Sequence, residues 1–437
     1  MKEKGWRILN FIESRMLSNF NINKYCKKGV IDILYVSTLC SNKLITEMFE
    51  AGYKLIQVIQ KFNTLLVRGL VENGGNVYAL SQIPKTAVPK FHYRKGETEK
   101  GVKFKYSTNI DIKLVYNLYV FLSAFFWTLI WGFRQKKKES VAIFDILQAE
   151  FCAGSLLACK LCGIKAVAIV TDLPNLPGML QKGKKGAIHR YIENLIDRYA
   201  NSFDGYILLT EQMNEVVNRE GRPYMVMEGL CDVDMVHSDA ERDGTKKKII
   251  IYAGGLHEEY GIKNLVDGFR KLNERDIELH LFGHGPMVED IKRLAAEDDR
   301  IKYFGIVPNS KVVEAELQAA LLVNPRPTVE DFTKYSFPSK NMEYMVSATP
   351  VLTTVLAGMP REYHDYVYLL EDESAEGIHD RLKELLINTP EEELRLKGRR
   401  AKEFVLKNKN NLYQSKRIID FIKRNRVENW NSQIKRD

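Results

Sequence analysis

A lysine and a glutamate three residues apart, Lys340 and Glu343, follow a proline-serine pair and suit the binding of a phosphorylated ligand. Pro338 is expected at the first position of a helix, where its missing N–H has no cost. The N–H groups of Ser339 and Lys340 would then be free at the helix N-terminus, which attracts phosphate. Glu343, one turn further along, either accepts hydrogen bonds from a sugar diol or only complements the helix dipole.

The elements around this stretch follow the order strand, loop, helix, strand. The apolar run 320–323 predicts a buried parallel strand before the loop. Met342, Met345 and Val346 have the spacing of an inward helix face, and the next strand is predicted to begin at 350–352. The lysine and the glutamate are therefore expected at the carboxyl edge of a parallel sheet.

The segment Phe-Pro-Ser-Lys-x-x-Glu-Tyr-Met, followed by Pro-Val-Leu, resembles the donor-site segment of glycosyltransferase family four. These are retaining sugar transferases of the GT-B fold, and this variant is similar to those of capsule and exopolysaccharide assembly. The resemblance implies that Glu343 is the second Glu of the family's E-x7-E motif and holds the donor ribose. Tyr335 stands in place of the first Glu, and Ala348 in place of the usual Gly.

Gly254 and Gly255 follow a predicted strand and permit close approach of a ligand to the backbone. They begin a segment that resembles the family's G-R-L-x-x-x-K-G, in which an Arg and a Lys hold the donor diphosphate. Here Gly255 and Tyr260 occupy the positions of those two cations. We expect Lys340 first, and Arg326 second, to neutralise the phosphates instead.

The turn that begins at Gly283 matches the family's G-x-G-P, which lies beside the nucleotide base in relatives. With this match, the resemblance implies a set of donor-binding residues. The predicted set is Gly254, Gly255, Gly283, Arg326, Tyr335, Phe337, Ser339, Lys340 and Glu343.

The first half of the chain offers one further candidate for catalysis, Asp172, which follows a predicted strand over 166–170. Ligands of open parallel sheets bind outside the carboxyl ends of the strands. Asp172 is therefore predicted to be catalytic together with Glu343, or else to cap its own loop. No G-x-G-x-x-G follows the first strand, which argues against a dehydrogenase.

The composition favours acidic partners, because the 437 residues carry a formal charge of +9. No nucleic-acid-binding motif is present, so phosphorylated sugars and anionic lipid are the expected partners. Cys159 and Cys162 form a lone C-x-x-C, for which buried thiols are favoured over a metal or redox site. No D-x-D follows an early strand, and we expect neither a metal nor a cofactor. Residues 1–29 lack the apolar core of a signal peptide, so a cytoplasmic protein is expected.

The predicted fold class is α/β, with the GT-B arrangement of two Rossmann-like doubly wound domains facing a cleft. The first domain, 1–238, is the acceptor side and contains a long loop or small insertion over 84–110. The predicted linker is 239–248, the nucleotide-sugar-binding domain is 249–410, and a C-terminal helix and tail, 411–437, cross back to the first domain.

An almost wholly apolar stretch, 112–133, is followed directly by a basic run, 134–138. Three alternatives remain open for it: a transmembrane helix, a helix buried in the first domain, or an interfacial helix with aromatic anchors and a basic collar. The last predicts peripheral association with the inner face of an anionic membrane.

Together these features predict transfer of a hexose or related sugar from a nucleoside diphosphate sugar to a lipid-linked or oligosaccharide acceptor, with retention, in surface polysaccharide synthesis. One rival is a non-catalytic sugar-nucleotide or partner-binding subunit, motivated by the lost Arg, Lys and first Glu. A second rival is a GT-B enzyme of different chemistry, such as an epimerase or phosphorylase.

Overall fold

The computed structural model describes residues 31–53, 57–83, 95–107, 116–135, 139–174, 187–234, 247–329, 331–427 and 430. By their internal contacts these residues divide into two units. One unit holds the described parts of 1–60 and 70–166, and the other holds 61–69 and the described parts of 167–437.

The first sheet has eight strands in the order β3-β4-β2-β1-β5-β6-β7-β8. The strands are β1 (Asp32–Ser37), β2 (Asn76–Gln82), β3 (Glu97–Glu99), β4 (Val102–Ser107), β5 (Ser140–Asp145), β6 (Lys165–Val170), β7 (Gly205–Leu208) and β8 (Tyr224–Val226). The accompanying helices are α1 (Asn42–Glu50), α2 (Gln57–Glu72), α3 (Tyr116–Arg134), α4 (Ala149–Cys162), α5 (Ala187–Ala200) and α6 (Met213–Val217).

The central strands of this sheet are parallel and buried along their whole length. Ile33 of β1 lies between Val77 of β2 and Val141 of β5 in the register of the sheet. Every residue of β1 and β5 is buried, as expected for strands whose two faces are both covered. Within the predicted loop 84–110, residues 97–107 instead form the antiparallel pair β3 and β4, and β4 extends the sheet beside β2.

Helix α3 corresponds to the apolar stretch, and one of its faces packs closely on α4. A Cβ at Gly154 of α4 would meet the backbone of Phe121, so only glycine permits this approach. Thr128 and Ser155 exchange a hydrogen bond of 2.9 Å across the same contact. The five described cysteines, which include Cys159 and Cys162, are buried thiols. This agrees with the prediction of buried thiols.

The opposite face of α3 is exposed. Its large apolar side chains there are Leu118, Leu122, Phe126 and Phe133. Within the described residues, α3 is a helix long and apolar enough to cross a membrane, with 39% of it buried against the protein. The alternative in which the whole helix is buried within the first domain is therefore wrong.

The second sheet has six parallel strands in the order β11-β10-β9-β12-β13-β14. The strands are β9 (Lys248–Gly255), β10 (Ile277–His284), β11 (Ile301–Gly305), β12 (Leu321–Asn324), β13 (Val351–Thr354) and β14 (Tyr368–Leu370). The helices are α7 (Ile262–Arg270), α8 (Val288–Glu297), α9 (Asn309–Gln318), α10 (Ser339–Val346), α11 (Ala375–Lys383), α12 (Glu391–Asn408) and α13 (Asn411–Val427). Three short 3-10 segments, Glu258–Tyr260, Asp331–Tyr335 and Arg361–Tyr366, and a π-helical turn, Glu384–Asn388, complete this part of the chain.

Buried apolar side chains cover both faces of the second sheet. Leu279 and Leu281 belong to a core with Phe269 of α7, whereas Leu322 belongs to a second core with Met345 of α10. A parallel sheet with both faces covered by helices is typical of a Rossmann-like domain.

The C-terminal helix α13 returns to the first sheet, as predicted. Arg417 of α13 donates a hydrogen bond of 3.2 Å to the carbonyl of Val226 in β8. The Trp430 ring lies so close to Gly205 of β7 that a Cβ there would clash with it. Of the predicted linker 239–248, residues 239–246 lie outside the described residues, and β9 already begins at Lys248.

Candidate functional site

A pocket of about 210 Å³ lies at the carboxyl ends of the strands of the second sheet. Strand ends, the loop after β11, and the facing sides of α9 and α10 form its walls. The lining residues are Ala253, Gly254, Phe282, Gly283, Gly305, Ile306, Val307, Asn309, Val312, Val313, Glu316, Lys340, Glu343, Tyr344 and Ser347. Gly254, Gly283, Lys340 and Glu343 of the predicted donor set therefore meet in one cavity.

Helix α10 begins at Ser339, and Pro338 is its N-cap. The prediction that Pro338 is the first residue of the helix is therefore wrong. The Pro338 carbonyl accepts the first bond of the turn from the Asn341 N–H at 2.8 Å. Within the described residues, the N–H groups of Ser339 and Lys340 have no such acceptor. The helix therefore presents free N–H groups at its N-terminus, as an anion site requires.

The position of α10 is fixed by its buried Asn341. Its side-chain amide donates to Thr353 Oγ1 at 3.0 Å, and its carbonyl oxygen accepts from Asn324 Nδ2 at 2.8 Å. These two bonds join the first turn of the helix to β13 and β12. Lys340 and Glu343, on either side of Asn341, consequently project from a rigid element.

The Lys340 side chain lies against Tyr252 at the end of β9. Its Nζ is 3.4 Å from the Tyr252 hydroxyl and 4.7 Å from the ring centroid. A Cβ on Gly254 would coincide with this amine, which explains why a glycine is needed there. Burial, followed by repulsion from Arg326, lowers the pKa of Lys340 to about 8. No carboxylate pairs with Lys340 among the described residues, so its charge is available to an anion.

Arg326 lies close by and is held by aromatic rings. Its guanidinium carbon is 4.9 Å from the centroid of Tyr260 and 5.6 Å from that of Phe332. Tyr260 is the residue that stands where the resemblance implies a lysine. The missing cation is thus replaced by an aromatic surface that supports an arginine from another loop.

Glu343 forms an ion pair that the sequence did not suggest. Lys61 Nζ, in α2, donates to Glu343 Oε1 at 2.8 Å, and the two side chains are 45% and 53% exposed. Both residues belong to the second unit. A pair as exposed as this contributes little to stability and exchanges readily, so the Glu343 carboxylate remains open to a competing ligand.

A second carboxylate, Glu316 of α9, lines the same pocket and was missed at the level of the sequence. It is only 6% exposed. Burial, followed by the nearby charge of Glu343, raises the pKa of Glu316 to about 8. Its position in an otherwise ordinary amphipathic stretch gave no signal, because only the tertiary fold brings it beside α10.

Several predicted residues lie elsewhere. Phe337 is buried in the core 5.2 Å from the ring of Tyr363, so it supports the loop and does not line the pocket. Gly255, Ser339 and Tyr335 are also absent from the pocket wall. Tyr335 ends a 3-10 segment, with Lys334 Nζ 5.4 Å from its ring centroid.

Asp172 lies just beyond β6, and its carboxylate accepts the N–H of the next residue, Leu173, at 2.8 Å. This is the local capping bond that was the alternative to a catalytic role, and Asp172 does not line the pocket. Glu330 and Asp331, in the loop before Tyr335, could supply the carboxylate that Tyr335 lacks. Glu330 lies outside the described residues, as does the side chain of Asp331.

The pocket combines three kinds of surface. Phe282, Ile306 and Val312 are apolar, Glu343 and Glu316 supply carboxyl groups, and Lys340 supplies a cation at a helix N-terminus. A ligand with a planar apolar part, hydroxyl groups and phosphates would meet a complementary group at each place.

Comparison with known proteins agrees with this geometry. Residues 237–403 match the family model described as Glycosyl transferases group 1. No curated protein sequence matches the chain.

Solved structures resemble the chain over most of its length at low sequence identity. Sucrose-phosphate synthase from Thermosynechococcus elongatus is 12% identical with a TM-score of 0.58, covering 91% of this chain and 100% of its own. HepE of Anabaena in complex with UDP is 11% identical with a TM-score of 0.59, covering 90% and 100%. A glycosyltransferase from Rickettsia africae is 13% identical with a TM-score of 0.60, covering 92% and 100%. The protein therefore has the two-domain GT-B fold, and its residues 237–403 match the Glycosyl transferases group 1 model.

Proposed function

We propose that the protein transfers a sugar from a nucleoside diphosphate sugar to an acceptor hydroxyl, with retention of configuration. One observation carries the proposal: Lys340 and Glu343, one turn apart on α10, line a single pocket whose other walls are apolar. Retention and a hexose donor follow from the resemblance to family four.

The base, ribose and diphosphate of the donor are each proposed to contact a different part of this pocket. The base contacts the apolar wall around Ile306 and Val312, and the ribose hydroxyls donate to Glu343. The diphosphate lies against the N–H groups of α10 and the Lys340 ammonium, with Arg326 beside them. Helix dipole and cations act together on the phosphates here.

In the proposed reaction the bond between the sugar C1 and the diphosphate oxygen breaks, and a bond from the acceptor oxygen to C1 forms. The leaving diphosphate keeps the electron pair of the broken bond, and its oxygen takes up the proton that the acceptor hydroxyl loses. Lys340 and Arg326 stabilise the charge that develops on the leaving group. We propose that these cations do this without a metal or other cofactor.

The acceptor is proposed to be a lipid-linked or oligosaccharide chain of a surface polysaccharide. The exposed stripe on α3, which contains Leu118, Leu122 and Phe126, supports a peripheral location on the inner face of an anionic membrane. Leu157 and Leu161 of the neighbouring α4 are exposed as well, so the apolar surface extends over two packed helices. Lys137 and the rest of the predicted basic collar after Arg134 lie outside the described residues.

A second candidate function is a sugar-nucleotide-binding subunit without activity. Tyr335, which cannot act as a carboxylate, stands in place of the first Glu, and this favours the second candidate.

Release of nucleoside diphosphate from a panel of UDP-, GDP- and ADP-sugars tests these possibilities. We expect slow hydrolysis of one donor by the wild-type protein, and loss of that hydrolysis in Lys340→Ala. Tight binding of a donor without hydrolysis or transfer would favour the binding subunit. Failure to bind any nucleoside diphosphate sugar would overturn both proposals.

A further inference from the structure

Glu316 is a buried acid with no hydrogen-bonding partner for its carboxyl group among the described residues. The bonds at this residue go to its backbone carbonyl, which accepts from Thr349 Oγ1 at 2.7 Å and from the Ala319 N–H at 3.3 Å. Its side chain is 94% covered, yet it lines the pocket. A carboxyl group that has no protein partner and opens on a pocket is available to a bound ligand.

The surroundings of Glu316 favour its neutral form. Glu343 and the Tyr344 hydroxyl face it from α10, and the cations nearest to it are Lys61 and Lys340. None of them forms an ion pair with Glu316. A carboxylate buried without a partner and beside a second carboxylate takes up a proton, because burial disfavours the charged form.

We propose that Glu316, as a neutral carboxylic acid, recognises the edge of the donor's nucleobase. The inference rests on the proposed function, since it assumes that a nucleoside diphosphate occupies the pocket. It adds the chemical class of the base: one whose edge places an N–H donor next to an acceptor.

The hydrogen-bonding pattern of a carboxylic acid decides which bases fit. A neutral acid offers one O–H donor and one carbonyl acceptor side by side. Uracil has an N–H between two carbonyl groups and matches this pair, as do adenine and cytosine, each with an amino group beside a ring nitrogen. Guanine has the same pair at N1–H and O6, and only its two adjacent N–H donors would suit an ionised carboxylate instead. The proposal therefore predicts that the base pairs through an N–H and an adjacent acceptor, and UDP, ADP, CDP and GDP are all sources of this chemistry.

Calorimetric titration of UDP, ADP, CDP and GDP into the full chain tests the proposal with two variants. Glu316→Gln keeps one donor and one acceptor in the same shape, whereas Glu316→Leu keeps only the size. We expect Glu316→Gln to retain the affinity for the preferred nucleotide, because its amide also offers one donor beside one acceptor. Glu316→Leu should lose about tenfold or more, the usual effect of removing a paired set of hydrogen bonds to a base. The nucleotide that binds the wild type most tightly identifies the base.

Thermal unfolding of the same variants separates binding from folding. Glu316→Leu should melt no lower than the wild type, because it removes an unpaired buried polar group. A pH series gives a further readout: affinity for the preferred nucleotide should fall more steeply above about pH 8 in the wild type than in Glu316→Gln. Lys340 titrates in both the wild type and Glu316→Gln, so the difference between their pH profiles of affinity is due to Glu316.

Two results would overturn the inference: a loss in Glu316→Gln as large as that in Glu316→Leu, or equal affinity of the wild type and both variants for the preferred nucleotide. Both require that a nucleoside diphosphate binds. If no nucleotide binds any of the three proteins, the proposed function fails instead, and the two failures are thereby distinguished.

Discussion

The amine of Lys340 fills the space beside Gly254 in which any other residue would place its Cβ. The two residues are far apart in sequence, on α10 and at the end of β9. A side chain at Gly254 would displace the Lys340 amine from its present position in the pocket.

Gly254→Ala should therefore weaken nucleoside diphosphate binding by displacing Lys340. We expect the loss to resemble that of Lys340→Ala, and the double variant to lose little more, because the two changes act on one contact. Uridine, which lacks phosphates, should bind all three variants nearly as well as the wild type. Gly229→Ala is a matched control, since its added Cβ would lie 3.4 Å from Met342 Cε, an ordinary contact. Additive losses in the double variant would show that Gly254 does not act through Lys340.

The affinity for the diphosphate should depend on pH through Lys340. Burial and Arg326 lower its pKa to about 8, and only the protonated amine attracts phosphate. Affinity should therefore be highest below pH 8 and fall as the pH rises through that value, approaching about tenfold per pH unit for one required proton. Lys340→Arg stays charged and should make the fall shallower, leaving the part that Glu316 contributes. Isothermal titration between pH 6.5 and pH 9.5 measures both, and an unchanged slope in the arginine variant would rule out Lys340 as the titrating group.

The ion pair between Lys61 and Glu343 should compete with the donor ribose. Lys61→Met frees the carboxylate, so we expect donor affinity to rise by about 1.4- to 5-fold, the equivalent of the about 0.2–1 kcal/mol of an exposed pair. The gain should shrink in high salt. Lys263→Met removes a comparable exposed pair with Asp267 and serves as control. Weaker binding by Lys61→Met would instead mean that Lys61 itself contacts the donor.

The exposed apolar stripe of α3 should bring the protein to anionic membranes. The double variant Leu118→Asp, Phe126→Asp should bind phosphatidylserine vesicles more weakly, since it places charge on that face. Neutralising the basic residues between Arg134 and Lys138 should have a similar effect, and high salt should release part of the wild type. Leu396→Asp, at a leucine that is 49% exposed on α12, controls for charge alone. Failure of the wild-type protein to bind phosphatidylserine vesicles at low salt would contradict a membrane role.

Local sequence patterns predicted the order of strands and helices around the pocket and the placement of Lys340 and Glu343 within it. They did so because these two residues belong to one helix turn, where spacing alone fixes their relation. The partners of the same residues were not predictable. Lys61 is 282 positions away from Glu343, and Glu316 stands in a helix whose pattern is that of any amphipathic helix.

Phe337 shows what a motif match alone does not tell about a residue. The family motif placed it among the donor-binding residues, but the chain turns it into the core beside Tyr363. Motif membership does not distinguish a residue that supports a loop from one that contacts the ligand. Strand β4 was likewise missed, although Val102, Phe104 and Tyr106 alternate with polar residues as in a half-buried strand.

Glu343 is the central residue of the proposed donor site, and its proposed contact with the ribose can be tested directly. Glu343→Gln keeps the size and helix propensity of the side chain, so the melting temperature should barely change. Loss of hydrogen bonds to a charged group, about 1.5–3 kcal/mol, should weaken donor binding by about 10- to 150-fold. A 2′-deoxyribose donor should bind the wild type more weakly than the natural donor, whereas the variant should distinguish the two little.

The measurement is therefore calorimetric titration of the ribose and 2′-deoxyribose forms of the preferred nucleoside diphosphate sugar into wild type and Glu343→Gln, with melting temperatures of both proteins. We expect a large loss of affinity in the variant, near-equal affinity of the variant for the two donors, and unchanged stability. Unchanged donor affinity with a large fall in melting temperature would contradict it, and would make Glu343 a residue that stabilises α10 and no part of a donor site.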